Sequence, residues 1–213
     1  MARSISDLYN FTRYIVKKER GVFITIEEAM ANLDTAQLDV LEEFFKPYGA
    51  TQQIHDALRD FKVYQPFVSD SAGDVTFPDN YVHLLGQPFT VTGSTVNRVE
   101  FVNEDELPFA LTSQLRPVTT SYPIAVDTAT GFRIYPQSQQ TGAYSYLKRP
   151  AAPVLDYTQV GRVITYNSAG STQLEWNEMY WNHILARSLK YAGVNMTEQD
   201  ISKFADQYSN ETE

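Results

Sequence analysis

Apolar residues recur every three or four positions at both ends of the chain and every second position in its middle. That change of period predicts helices, then strands, then helices again. Near the N-terminus Ile5, Leu8, Thr12, Ile15 and Val16 lie on one helical face, and Ser4 with Asp7 forms a capping box ahead of them. Lys17, Lys18, Glu19 and Arg20 fall where this helix ends, a place the macrodipole favours for cations, and Gly21 suits the terminating position. Thr25 and Glu28 cap a second start that carries Ala29 and Leu33. Asp34 then reads as a fresh N-cap, opening a stripe of Leu38, Leu41, Phe44 and Phe45 that Pro47 and Gly49 terminate. Residues 51–61 give one more short helix, with Ile54, Leu58 and Phe61 on one face.

From Val63 to Glu175, Val, Thr, Tyr and Phe alternate with polar residues in short runs separated by Gly, Pro, Asn and Asp. Strands are expected at VTFP, FTVT, RVEFV, PIAV, FRIYP, AYSYLKR and RVITYNS, with hairpin turns at Ser71–Asp74 and at residues 167–171. One short helix interrupts them, capped by Asn103 or Asp105 and carrying Leu107 and Leu111, with Pro108 in its tolerant first turn. At the far end Asn177 is an N-cap for a stripe of Trp181, Ile184, Leu185, Ser188 and Ala192, closed by Gly193. Thr197 and Asp200 make a third capping box before Ile201, Phe204, Ala205 and Tyr208, and a polar tail follows. The expected fold class is α+β in one domain spanning residues 1–213. Its parts are helices over 1–62, a β-rich middle of short antiparallel strands over 63–175, a C-terminal helix pair over 176–208 and a tail over 209–213.

The bulk composition narrows the functional classes. A chain of 213 residues buries about 70% of its unfolded surface and fills one sizeable core. Aromatic residues make up 13% of it, 14 of them tyrosine, a composition suited to large contact surfaces because tyrosine pairs a rigid apolar body with a polar tip. With no cysteine, disulfides, thiolate zinc sites and cysteine nucleophiles are excluded. The N-terminal residues lack an apolar signal core and no apolar run is long enough to span a bilayer. The expectation is therefore a protein made and folded in a cytoplasm, with no membrane partner. The formal net charge is −9, and acids exceed bases in each block of the chain: 10 against 8 in residues 1–62, 10 against 6 in 63–175, and 6 against 3 in 176–213. Such a distribution lacks the clustered Lys/Arg footprint of a duplex-DNA reader.

Candidate chemistry is thin. His55, His83 and His183 come from three different regions in no metal-binding spacing, and isolated structural roles are the default for them. Glu104, Asp105 and Glu106 lack the loop pattern that wraps calcium and are favoured in any case at a helix N-terminus. Glu27 with Glu28, and Glu42 with Glu43, look like solvated helix faces, and no nucleophile elbow or phosphate-binding glycine loop occurs. No cofactor and no catalytic residue is expected.

The stretch GAYSYLKRPAAPVLDY, from Gly142 to Tyr157, places Tyr144, Tyr146 and Lys148 on one side of a strand, as a large and mostly polar-tipped face. Pro150 cannot donate to a β-ladder and forces Arg149 to be extended, so the strand stops there and residues 150–153 leave the sheet. Lys148 and Arg149 then serve either as strand-end charges or as a subunit contact.

Several stretches in order resemble virion structural proteins of tailed phages that infect Bacteroides-type hosts: TIEEAMANLDTAQLDVLEEFFKPYG, FPDNYVHLLG, EDELPFALTSQLRPVTTSYPIA, FRIYP with YSYLKRPAAPVLDY, and LEWNEMYWNHILARSLKYAGVNM. Within that group they resemble the ring, or head-to-tail connector, proteins of crAss-like phages. The resemblance covers roughly residues 25–195, departing where EEAMANL replaces the usual Glu-Phe-Asn and where Asn177 stands in a common proline position.

The resemblance implies a non-enzymatic virion protein at the portal–tail junction, a tail-adaptor-like ring of about a dozen copies that extends the DNA ejection channel. Its implied partners are further copies of itself, the portal protein and other ring or tail proteins, with only passive contact to translocating DNA. Its implied location is the virion, after assembly in the bacterial cytoplasm. An acidic wall suits a channel through which DNA must slide without binding. Because terminal helices of such proteins commonly dock on the neighbouring ring, the implied interface residues are Trp181, Tyr191, Phe204 and Tyr208, with Lys148 and Arg149 as a second contact. Trp181 and Phe204 also lie on apolar stripes, so a core role competes for both. The alternatives are another virion component, such as an auxiliary capsid or tail or fibre attachment protein, and an enzyme with a carboxylate site assembled by folding.

Overall fold

The computed structural model describes residues 4–47, 52–161, 163–197 and 200–201. The chain is mixed α+β: N-terminal helices, a strand-rich middle with one short helix, and a C-terminal helix. It divides into two compact units, one made of Met1–Asp60 and Pro150–Glu213, the other of Phe61–Arg149. The strand-rich middle is thus shared between the units, and the boundary falls at the Arg149–Pro150 junction where the sequence ends a strand.

In the first unit α1 (Ile5–Arg20) and α2 (Ile26–Phe45) pack with α5 (Trp181–Tyr191). The two N-terminal capping boxes form as expected: Ser4 Oγ accepts from the Asp7 amide at 3.2 Å, and Thr25 Oγ1 accepts from the Glu28 amide at 3.2 Å. Gly21 ends α1 in the left-handed region at φ 69°. Asp34 does not open a new helix. Ala29, Met30, Leu33, Ala36, Gln37, Val40 and Leu41 are buried at unbroken helical spacing, so α2 runs straight through. The Asp34 carboxylate instead accepts from Gln37 Nε2 one turn later, at 2.9 Å. A short α3 (Gln52–Ala57) follows, and then a tight turn over Arg59–Phe61. Asn177 caps that kind of turn too, over Glu178–Tyr180, from which α5 continues. Past α5, Val194 N donates to Leu189 O and Gly193 N to Lys190 O, the Schellman pattern that closes a helix. The Thr197–Asp200 box forms, with Asp200 N donating to Thr197 Oγ1 at 3.3 Å. The rest of the second C-terminal helix expected there lies outside the described residues.

The first unit also holds a hairpin of β10 (Val154–Val160) and β11 (Val163–Thr172). Its turn is at Gly161, φ 63°, not at residues 167–171 as the sequence suggests. There β11 bulges instead: Asn167 Nδ2 donates to the Asp156 carboxylate, and Ser171 Oγ accepts from the Asp156 amide. A Cβ on Gly170 would lie 2.2 Å from that carboxylate, so glycine lets Asp156 keep its place across the bulge. Tyr157 Oη donates to Glu27 and Tyr166 Oη to Asn10, which tie the hairpin to α2 and α1. Glu27 is therefore not merely a solvated helix-face carboxylate; its own amide and the Tyr157 hydroxyl hold its pKa below the usual value.

The second unit has two sheets. In one, β9 (Thr141–Lys148) is central, pairing with β1 (Lys62–Val68) on one side and, on the other, with β4 (Phe89–Thr92) along its first half and β3 (Tyr81–Leu84) along its second. β5 (Thr95–Arg98) extends it through a hairpin with β4. The other sheet runs β2 (Asp74–Thr76), β8 (Gly131–Tyr135), β7 (Ile124–Thr128) and β6 (Glu100–Phe101). All pairings are antiparallel except β6 with β7, whose long connection carries α4 (Leu107–Thr112). The expected turn at residues 71–74 forms around the Asp70 carboxylate and Gly73 at φ 84°, but β1 and β2 on either side enter different sheets, so it is not a hairpin.

Phe67, Val75, Val99, Ala125, Phe132, Ile134, Tyr144 and Tyr146 fill one core with residues from both sheets. Tyr144 and Tyr146 are therefore inward-facing, not a polar-tipped surface. Burial pushes the Tyr144 hydroxyl up to about 12, with the neighbouring tyrosines adding to it, and Tyr146 Oη donates to Asn80 at 3.0 Å. Ala143 and Leu147 on the opposite face are buried as well, which is what a central strand requires. β9 ends at Lys148, as Pro150 dictates.

Across the β2–β8 pair, Arg133 donates two hydrogen bonds to Asp74, at 2.6 and 2.9 Å. The guanidinium holds the Asp74 carboxyl below its ordinary value of 3.8. A carboxyl whose folded pKa is depressed stabilises the fold above its unfolded pKa and loses that contribution as pH falls through the folded one. Asp74→Asn is therefore expected to lower the melting temperature at pH 7 and to make little difference near pH 2. A thermal melt series from pH 7 to pH 2 checks it, and a gap that persists undiminished at pH 2 would remove the ion pair as its source.

Candidate interaction surface

Between the Gly21 stop of α1 and the Thr25 cap of α2 stand three apolar residues, Val22, Phe23 and Ile24. Ile24 is buried, and its carbonyl accepts from Tyr9 Oη at 3.3 Å. A linker this short cannot turn all three inward, and Phe23 is left 66% exposed. Arg13 and Lys17 lie over its ring, 5.7 and 5.6 Å from the centroid. Beside it opens a groove of about 440 Å³ lined by Val16, Arg20, Val22, Phe23, Glu28 and Tyr191, among others. Arg20 Nη1 donates to the Ala192 carbonyl at 2.6 Å, and a Cβ on Gly193 would stand 2.5 Å from the same guanidinium. Tyr191 Oη hydrogen-bonds to the Asp39 carboxylate, which raises the phenol pKa. With Arg13 and Lys17 over Phe23 and Arg20 on the groove wall, this side is basic on an acidic chain, opposed by Glu28.

The second unit has its own apolar surface. α4 buries no residue. Phe109 is 78% exposed, Leu111 is exposed and Leu115 just beyond it is fully exposed. Glu106 occupies the N-cap position without a side-chain cap bond, and Asn103 makes the preceding turn, its carbonyl accepting from the Glu106 and Leu107 amides. Glu104, Asp105 and Glu106 are all exposed at this end, so acidic and apolar groups adjoin. Arg116 on its far side is paired with Glu100 at 2.9 Å.

Of the residues expected at an interface, Tyr191 lies on the groove wall and is half exposed. Trp181 is 4% exposed and donates its indole N–H to the Trp176 carbonyl at 2.8 Å, which places it in the core of the first unit. Lys148 is half-buried at the end of β9 and Arg149 is exposed, its amide donating to Asn80 O at 2.7 Å. Phe204 and Tyr208 lie outside the described residues. The structure gathers Tyr191 with Phe23, and leaves Lys148 and Arg149 in the other unit. Phe23, Phe109 and Leu115 are not singled out by periodicity. The signal that finds them is negative: apolar residues in or beside short segments with no amphipathic period to bury them.

The acidic pairs take part in structure. Glu43 hydrogen-bonds to Arg187 and, at 3.3 Å, to His183, joining α2 to α5. Among the described residues no group of three His, Asp or Glu side chains is arranged to hold a metal ion, and no helix is long and apolar enough to cross a membrane. No protein-family model matches the chain, and no curated protein matches it.

Proposed function

We propose that this chain is a non-enzymatic structural protein of a tailed-phage virion, repeated as a ring of about a dozen copies at the portal–tail junction. The observation that carries the reading is that each unit exposes a separate apolar face, Phe23 with Tyr191 on one and Phe109 with Leu115 on the other. A closed ring is built from heterologous contacts, in which one patch of each copy meets a different patch of the next. Isolated exposed apolar residues are ordinary, but aromatic residues grouped with charges at a groove mark a surface meant to be covered. The resemblance of residues 25–195 to phage connector proteins supplies the location, and the excess of acids along the chain suits a channel that DNA passes without adhering.

The test mixes the purified chain with the portal ring of its phage and examines the product by negative-stain electron microscopy and mass photometry. The expected result is an added cyclic layer of about twelve copies on the portal. A chain that ignores the portal and is recovered on capsid or tail pieces belongs to the alternative, another virion component.

A further inference from the structure

The two apolar faces carry opposite charge. Arg13 and Lys17 stand over Phe23, and Arg20 lines the groove beside it with Glu28 as the one acid among the described residues of its wall, whereas α4 is led in by Glu104, Asp105 and Glu106 and followed by exposed Leu115. We propose that the acidic, apolar segment 103–115 of one copy seats in the basic groove beside Phe23 of a second copy, making the repeating contact of the ring. The inference rests on the ring reading and names its contact.

Three features fit that occupant. The groove holds about 440 Å³, room for a large apolar side chain such as Phe109. Its open side is framed by Val22, Phe23 and Tyr191, which give an apolar floor and an aromatic edge, while the cations stand on the rim, where carboxylates of an entering helix would meet them. Such an arrangement steers encounter and fixes register, and a like-charged partner is rejected. Segment 103–115 supplies the converse set within thirteen residues, acids at its start and apolar side chains after them, on a helix with no fully buried residue. The contact is between unlike patches, so every copy uses both, and the array can propagate around an axis.

The absence of cysteine from the chain makes the test direct. Val22→Cys reports the groove and Gln114→Cys the segment; both positions are exposed. Mixed under mild oxidation, the two single-cysteine chains are expected to form an intermolecular disulfide at least tenfold more readily than Val22→Cys mixed with Val68→Cys, an exposed position on β1. Combining Arg13→Glu with Lys17→Glu on the groove chain, or Glu104→Lys with Asp105→Lys on the segment chain, should each remove that preference. Placing both reversals in the same mixture should restore it, an outcome that mere damage to the fold cannot produce. Crosslinking no better than the control pair, or indifferent to either charge reversal, overturns the contact. So does a monomeric Val22→Cys, Tyr208→Cys chain that closes on itself in preference, since the groove would then be covered by the chain's own end. A portal-bound layer whose copies fail the cysteine test overturns this contact and leaves the ring reading standing. A specific crosslink without any portal layer does the reverse.

Discussion

Phe132→Ala is expected to destabilise the second unit by about 3–5 kcal/mol, the usual cost of emptying a large aromatic site in a core. The ring is fully buried and stands against four other aromatic rings, Phe67, Phe77, Phe101 and Tyr144, at centroid distances of 5.7, 5.6, 5.8 and 5.8 Å. These come from β1, from the residue after β2, from β6 and from β9, so one side chain bridges both sheets. The neighbours are held by their own strands and cannot collapse into the void. Because whole domains are stable by only about 5–15 kcal/mol, the loss is a large share of what holds this unit together. Urea unfolding followed by the near-ultraviolet tyrosine signal measures it. Phe132→Leu, which keeps most of the volume, should cost less than half as much. A cost for alanine below about 1 kcal/mol would mean that the two sheets do not share a tightly packed interior.

The second large effect is expected at Trp181. Trp181→Ala removes a buried indole at the first residue of α5 and strands the Trp176 carbonyl that accepts its N–H. The expected cost is again about 3–5 kcal/mol, with Trp181→Phe losing chiefly the hydrogen bond, about 1 kcal/mol. Fluorescence of the remaining Trp176 during urea unfolding reads the change directly. The same variant separates the two roles the sequence allows for this residue. A destabilised chain places Trp181 in the core, whereas full stability with failure to join the portal would make it a partner contact and refute the packing assigned to it. Tyr191, on the groove wall, is where an interface loss without a folding loss is anticipated.

The parts of this fold that are decided locally were readable in advance. A capping box requires a hydroxyl and an acid three residues later, and all three boxes form. A proline ends a strand whatever lies around it, and β9 stops before Pro150. The α+β order follows from a change of hydrophobic period along the chain. Other features were hidden because they depend on partners far away in sequence. β1 contains Pro66, which argues against a strand until β1 proves to lie at a sheet edge, where a missing amide is tolerated. Asp34 looks like a cap because capping preference is local, and yields because the burial of Leu33, Ala36 and Val40 on either side outweighs it.

The candidate surface divides in the same way. Sequence alone determined its ingredients: a cationic helix end, an acidic triplet before a short helix, aromatic residues in excess and no cysteine. Only the tertiary structure decided which aromatic residues face outward. Tyr144, Tyr146 and Trp181 are drawn inside because two sheets, or three helices, close over them. Phe23 stays outside because its linker turns Ile24 inward instead, and Phe109 and Leu115 lie in a segment none of whose residues is fully buried. Amphipathic period tells how a segment can be buried, but whether it is buried depends on a surface built by residues elsewhere in the chain.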